Sequence, residues 1–99
     1  MNDAASSDPI EIGVSSVPRL GRGFRLQWEP VQDAYVLLYP EGMVKLNGSA
    51  GEILSRCDGV KSVSTLVGEL ETRFGQSGLE RDVIAFLDLA LAQRWVEIA

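Results

Sequence analysis

The spacing of apolar residues changes period once along this chain, and that change restricts the fold more than any other feature. From Phe24 to Leu46 the apolar segments are short and separated by turn residues. From Ser49 onward, apolar residues recur at intervals of three and four. A period of two belongs to strands with one buried face, and a period near 3.6 to helices. Phe24-Arg25-Leu26-Gln27-Trp28 alternates apolar and polar, and after the Glu29 to Asp33 loop comes the aromatic and aliphatic run Tyr35-Val36-Leu37-Leu38-Tyr39. Pro40-Glu41-Gly42 then turns the chain into Met43-Val44-Lys45-Leu46, with proline setting φ and glycine accepting a positive φ. The three segments predict a three-stranded antiparallel meander.

Three helices follow. Ser49 and Glu52 have the spacing of a capping box, and Ile53, Leu54 and Cys57 supply the buried stripe of a short helix stopped at Asp58-Gly59. Ser62 or Ser64 opens a second helix through Val63, Leu66, Val67, Leu70 and Phe74, closed by Gly75. Leu79 to about Arg94 forms a third, and Trp95 to Ile98 a short strand or extended tail. The expected architecture is α+β and winged-helix-like: a three-stranded antiparallel sheet followed by three helices, over residues 18–99. Residues 1–17, with four Ser and two Asp and without periodicity, are expected to form a flexible arm.

Composition removes several function classes. No apolar run approaches the roughly 20 residues that cross a bilayer. The opening MNDAASSDPIEIG has neither a basic stretch nor an apolar one of the kind that directs secretion, so the expected compartment is the cytoplasm. Nine basic against fourteen acidic residues leave a net charge of −5, which disfavours nucleic acid and anionic lipid. Histidine is absent and Cys57 is the lone cysteine, so neither a neutral-pH base nor a cysteine–histidine metal site can be assembled. Four residues after Ile53, Cys57 fits a small core hydrophobe. Glu69/Glu71 and Glu80/Asp82 are spaced by two, which on a helix points the carboxylates apart. The chain is expected not to be an enzyme and to need no cofactor of its own.

Two features suit binding. The Met43 to Leu46 strand, lying at the edge of a meander, can accept an extended peptide through its free backbone groups, unless Lys45 serves only to protect that edge. The third helix is apolar over more than one stripe: Leu79, Val83, Phe86, Leu87 and Ala90 share a face, and Ile84, Leu91 and Trp95 form a second row. Spacing leaves open whether core and arm, a second copy of the chain, or a peptide covers the surplus. A winged-helix DNA-binding regulator is a further alternative, poorly equipped because the second helix offers Glu69 and Glu71 beside a single Arg73. Arg19, Arg22 and Arg25 fall within seven residues; such a run is more often a solvated loop, and its alternative reading is a contact with an acidic partner.

Taken together, Leu37-Leu38-Tyr39-Pro40-Glu41-Gly42, Leu46-Asn47, Ile53-Leu54, Cys57-Asp58-Gly59, Asp82-Val83 and Phe86-Leu87 resemble the PqqD family of pyrroloquinoline quinone biosynthesis. The likeness runs from about Pro18 to Trp95. It implies a peptide chaperone that binds the precursor peptide PqqA and presents it to the radical-SAM enzyme PqqE, whose clusters and S-adenosylmethionine belong to that enzyme. It also implies a peptide held as an added strand between the third strand and the third helix. On this chain that groove is Met43, Val44, Lys45 and Leu46 on one wall and Val83, Phe86, Leu87 and Ala90 on the other. The resemblance does not say which surface meets the partner enzyme; the cluster Arg19, Arg22 and Arg25 is the charged candidate for it.

Overall fold

The computed structural model describes residues 12–99. Its elements are β1 (Pro18–Leu20), β2 (Arg25–Glu29), β3 (Ala34–Tyr39), β4 (Gly42–Lys45), α1 (Gly48–Leu54), α2 (Val63–Phe74), α3 (Glu80–Ala92) and β5 (Val96–Ile98). The fold is α+β, with the expected antiparallel meander in the order β2-β3-β4 followed by three helices.

Register sorts the side chains of the meander onto two faces, and Val36 is buried on the face away from the helices. Leu26, Leu37 and Val44 stand opposite one another across the three strands, as do Gln27, Val36 and Lys45 on the other side. The first row faces the helices, where Leu37 is fully buried among Leu54, Leu66 and Leu87. Helix α1 can lie directly on β3 because residue 51 is glycine. A Cβ there would come within 2.7 Å of the Tyr35 ring, nearer than any side chain tolerates.

The start of α1 differs from expectation. The cap is Asn47, not Ser49: the Asn47 Oδ1 accepts from the Ala50 N–H at 2.8 Å and from the Ser49 hydroxyl at 3.1 Å. The helix begins at Gly48, and asparagine two residues upstream of Ser49 caps at least as well as serine. Glu52, freed from capping, accepts from Arg56 Nη1 at 2.8 Å and lies 3.6 Å from Arg73 Nε. The Arg56 hydrogen bond holds its carboxyl below the usual carboxylate range. In α2 the expected signals hold: the Ser62 hydroxyl accepts from the Thr65 N–H, and Gly75 closes the helix in a left-handed conformation.

Sequence spacing gave no sign of β1. Pro18–Leu20 pairs antiparallel with β5, placing Arg19 opposite Glu97 with Arg19 Nε 2.8 Å from the Glu97 carboxylate. Of the expected arm, residues 1–11 lie outside the described residues. Residues 12–17 pack against the domain. Ile12 is buried, and the carbonyls of Val14 and Ser16 accept from the Ser64 and Val63 N–H groups at 2.9 and 2.8 Å. Those are first-turn donors of α2 that no helical carbonyl reaches, so the described part of the arm completes a helix end.

Candidate functional site

The edge of the meander has a defined set of free groups. The Leu46 N–H donates to the Tyr35 carbonyl at 3.1 Å, so Tyr35 and Leu46 form a hydrogen-bonded pair. Pairs alternate along an antiparallel ladder. The Leu37–Val44 pair is therefore hydrogen-bonded as well, and Val44 turns both its backbone groups inward to β3. Met43 and Lys45 turn theirs outward, where among the described residues no further strand pairs with them. Their side chains lie on the outer face, and Met43 is 60% exposed.

Where β4 runs into α1 the surface opens into a cleft of about 400 Å³. Asn47, one residue past Leu46, lines its near end together with Ala50 and Ile53 of α1. Leu70 and Phe74 of α2 and Val83 and Phe86 of α3 close the sides, with Asp82 as the charged group of the lining. The rim at the α2–α3 connection is pinned by Glu71, whose Oε2 accepts from the Leu79 N–H at 3.1 Å. That bond supplies the start of α3, where Leu79 has no side chain with which to cap. Phe74 remains 42% exposed although it continues the buried phase of Val63, Leu66, Val67 and Leu70. The helix outruns the core by one turn, and the ring is left at the cleft wall.

The structure divides the eight groove residues expected from sequence. Val83 and Phe86 line the cleft; Met43, Val44 and Lys45 form the edge strand beside it. Leu46 is buried, and Leu87 and Ala90 have no exposed surface at all. In this structure the latter two belong to the core, whereas Asp82, Val83 and Phe86 line the cleft. The second apolar row on α3 is largely used internally, with Phe86 and Trp95 ring centroids 6.4 Å apart and Ile84 and Leu91 packed on the core. Asn47, Ala50, Ile53, Leu70 and Phe74 were not among the residues expected at the site. The available signal was the asparagine-capped helix start immediately after an edge strand.

The arginine cluster is also divided. Arg19 is engaged by Glu97 on the β1–β5 ribbon. Arg25 stands opposite Leu38 and Met43, on the face of the sheet away from the helices. Arg22 lies in the turn between β1 and β2, beside Arg94. Cys57 offers no chemistry: it is 6% exposed, its thiol donates to the Ile53 carbonyl at 3.4 Å, and burial with the neighbouring Asp58 carboxylate pushes its pKa up to about 12. Asp58 itself is a turn residue, with Oδ1 accepting from the Val60 and Lys61 N–H groups at 2.9 Å each. Those bonds, that from Lys61 foremost, hold its carboxyl below the usual range. Among the described residues no helix is long and apolar enough to cross a membrane.

Comparison with known proteins gives concordant results. Residues 34–96 match the family model described as coenzyme PQQ synthesis protein D (PqqD). A PqqA binding protein of Pseudomonas aeruginosa (strain UCBPP-PA14) is 56% identical over 86% of this chain and 94% of its own length. One from Azotobacter vinelandii (strain DJ / ATCC BAA-1303) is 51% identical over 89% of this chain and 97% of its own. Among solved structures, the solution NMR structure of the PqqD truncation of Methylobacterium extorquens PqqCD superposes with a TM-score of 0.73 at 32% identity. It covers 87% of this chain and 94% of that one. That protein is described as a functional, stand-alone recognition element for ribosomally synthesised and post-translationally modified peptides.

Proposed function

This chain belongs to the PqqD family, and from that premise we propose that it binds the precursor peptide PqqA and presents it to the radical-SAM enzyme PqqE. Binding, not catalysis, is its part in the process, and it acts in the cytoplasm. The observation that carries the reading is the continuity of a free strand edge with an apolar cleft. An extended peptide laid along β4 pairs with the outward N–H and C=O groups of Met43 and Lys45. Side chains alternate along a strand, so every second peptide residue turns toward the helices. The residue carried past Lys45 reaches the cleft, where an apolar side chain displaces water from between Phe74, Val83 and Phe86. Backbone pairing is indifferent to sequence, and the cleft supplies the selection. Tethering the peptide in an extended form raises its concentration at the partner enzyme and lowers the ordering cost of the modifying step.

Proline substitution tests the edge directly. Met43→Pro and Lys45→Pro each remove one outward donor, and a net backbone hydrogen bond is worth about 0.5–1.5 kcal/mol. Each variant is expected to keep the meander and to bind synthetic PqqA about three- to tenfold more weakly in calorimetric titration. Val44→Pro instead removes an inward donor and is expected to disrupt the pairing of β4 with β3. Full affinity in both edge variants would exclude strand addition at β4.

A further inference from the structure

A second concavity, about 430 Å³, lies at the other end of α3 and shares no lining residue with the cleft. Phe24, Leu91 and Val96 give it an apolar lining; Arg22, Arg94 and Glu97 are its charged groups. Glu97 is already held by Arg19 at 2.8 Å, whereas among the described residues neither Arg22 nor Arg94 has an ion-pair partner. On a chain of net charge −5, two guanidiniums are thus left at the edge of one apolar notch.

The backbone that holds them there is unusual in two ways. Arg94 lies just past the helix in a left-handed conformation (φ 66°), and the Trp95 N–H closes the end of α3 onto the Ala90 carbonyl at 2.8 Å. Glycine is the residue this position favours. An arginine there holds a conformation that costs it more than it would cost glycine, with its side chain at the notch. Opposite it stands Gly21, whose N–H donates to the Trp95 carbonyl at 2.7 Å; a Cβ on residue 21 would run into the Arg94 carbonyl. The turn carrying Arg22 is thereby pressed against the turn carrying Arg94.

We propose that this notch is a second docking site, which takes a carboxylate flanked by an apolar side chain from an acidic segment of a partner protein. The two arginines receive the carboxylate, and the apolar side chain lies on Phe24 and Leu91. Paired guanidiniums suit carboxylates because their planar donors match the two oxygens. The site is independent of the peptide cleft.

The full chain is titrated with acetyl-Ala-Glu-Leu-Glu-Ala-amide and, separately, with the same peptide carrying glutamine for glutamate, while amide and arginine Nε–H resonances are followed by NMR. The glutamate peptide is expected to shift residues 22–24 and 91–97 and the glutamine peptide to leave them in place, with the response lost in about 0.5 M NaCl. Arg22→Gln and Arg94→Gly are each expected to weaken the response about tenfold. Arg94→Gly also melts several degrees higher, because glycine suits the left-handed turn. Arg25→Gln, on the other face of the sheet, is expected to bind as the unaltered chain does. Equal binding of the two peptides, shifts centred on the cleft, or an unchanged response in the Arg22→Gln variant would overturn the proposal.

Discussion

At the scale of single residues, Cys57 separates a correct expectation from its reasoning. Helical phase placed it four residues after Ile53 and therefore inside. It is inside, yet α1 ends at Leu54. A tight turn carries it inward, with the Arg56 and Cys57 N–H groups donating to the Ile53 and Leu54 carbonyls at 3.0 and 3.1 Å. Spacing could not distinguish a helix that continues from one that tightens, because both bury the same side chain. The consequence is measurable. Burial raises the thiol from its ordinary 9.0 to about 12. A group whose folded pKa is raised contributes stability that is fully present below its unfolded value and lost as pH rises toward the folded one. Cys57→Ala is therefore expected to flatten the alkaline decline in stability between pH 9 and 12, measured by urea titration across that range. A decline as steep as that of the parent chain would remove the thiol as its source. In the parent, iodoacetamide at neutral pH is expected to label the folded chain far more slowly than the urea-unfolded one.

Elements were more legible than residues because periodicity is a property of elements. The meander, three helices and the closing Gly75 all follow from spacing and turn chemistry. The division of α3 does not. Val83, Phe86, Leu87 and Ala90 look alike on a helical wheel, and only the placement of α2 and the sheet decides that Leu87 is enclosed while Phe86 faces the cleft. Phe74 shows the same limit from the other side: it is in phase with the core of α2 but lies one turn beyond it. Opposite outcomes are expected for two substitutions. Leu87→Asp buries an unpaired carboxylate where no surface remains, at a cost of several kcal/mol against a total stability of about 5–15 kcal/mol, so the domain is expected to unfold. Phe74→Ser removes a half-exposed ring, costs about 1 kcal/mol of stability, and weakens PqqA binding about tenfold. Thermal melts and calorimetric titration check both. A folded Leu87→Asp variant would refute the enclosed position of that residue, and unchanged affinity in Phe74→Ser would take the cleft out of the peptide site.

For the molecule as a whole, the feature least visible in sequence is the pairing of β1 with β5. A short strand or extended tail is expected at Trp95 to Ile98, but β1 is three residues long, too short to show a period, and the paired Arg19 and Glu97 are 78 positions apart. The ribbon nevertheless gathers much of the molecule. The Ala99 and Gly59 N–H groups donate to the Val17 and Pro18 carbonyls at 2.8 and 3.0 Å, and the Gly21 N–H reaches the Trp95 carbonyl. Val96 seals the core at 2% exposure. Just upstream of the ribbon, Val14 and Ser16 complete the first turn of α2. Loss of the last strand should therefore be felt far from the C-terminus. Truncation after Trp95 removes β5 and the Val96 side chain, whose burial is worth about 1.5–3 kcal/mol, so the melting temperature is expected to fall by roughly 10 °C. Hydrogen exchange distinguishes how that loss is distributed. Amides of Gly59, Val63 and Ser64 are expected to lose protection first, because the segment that receives them is no longer held by β5. Amides shared between β3 and β4 stay protected until global unfolding, since the meander is closed by its own turns. Uniform loss of protection would instead mean that the ribbon and the meander open as a single unit. PqqA should still bind the truncated chain at low temperature, because neither β4 nor the cleft contains a residue that the truncation removes.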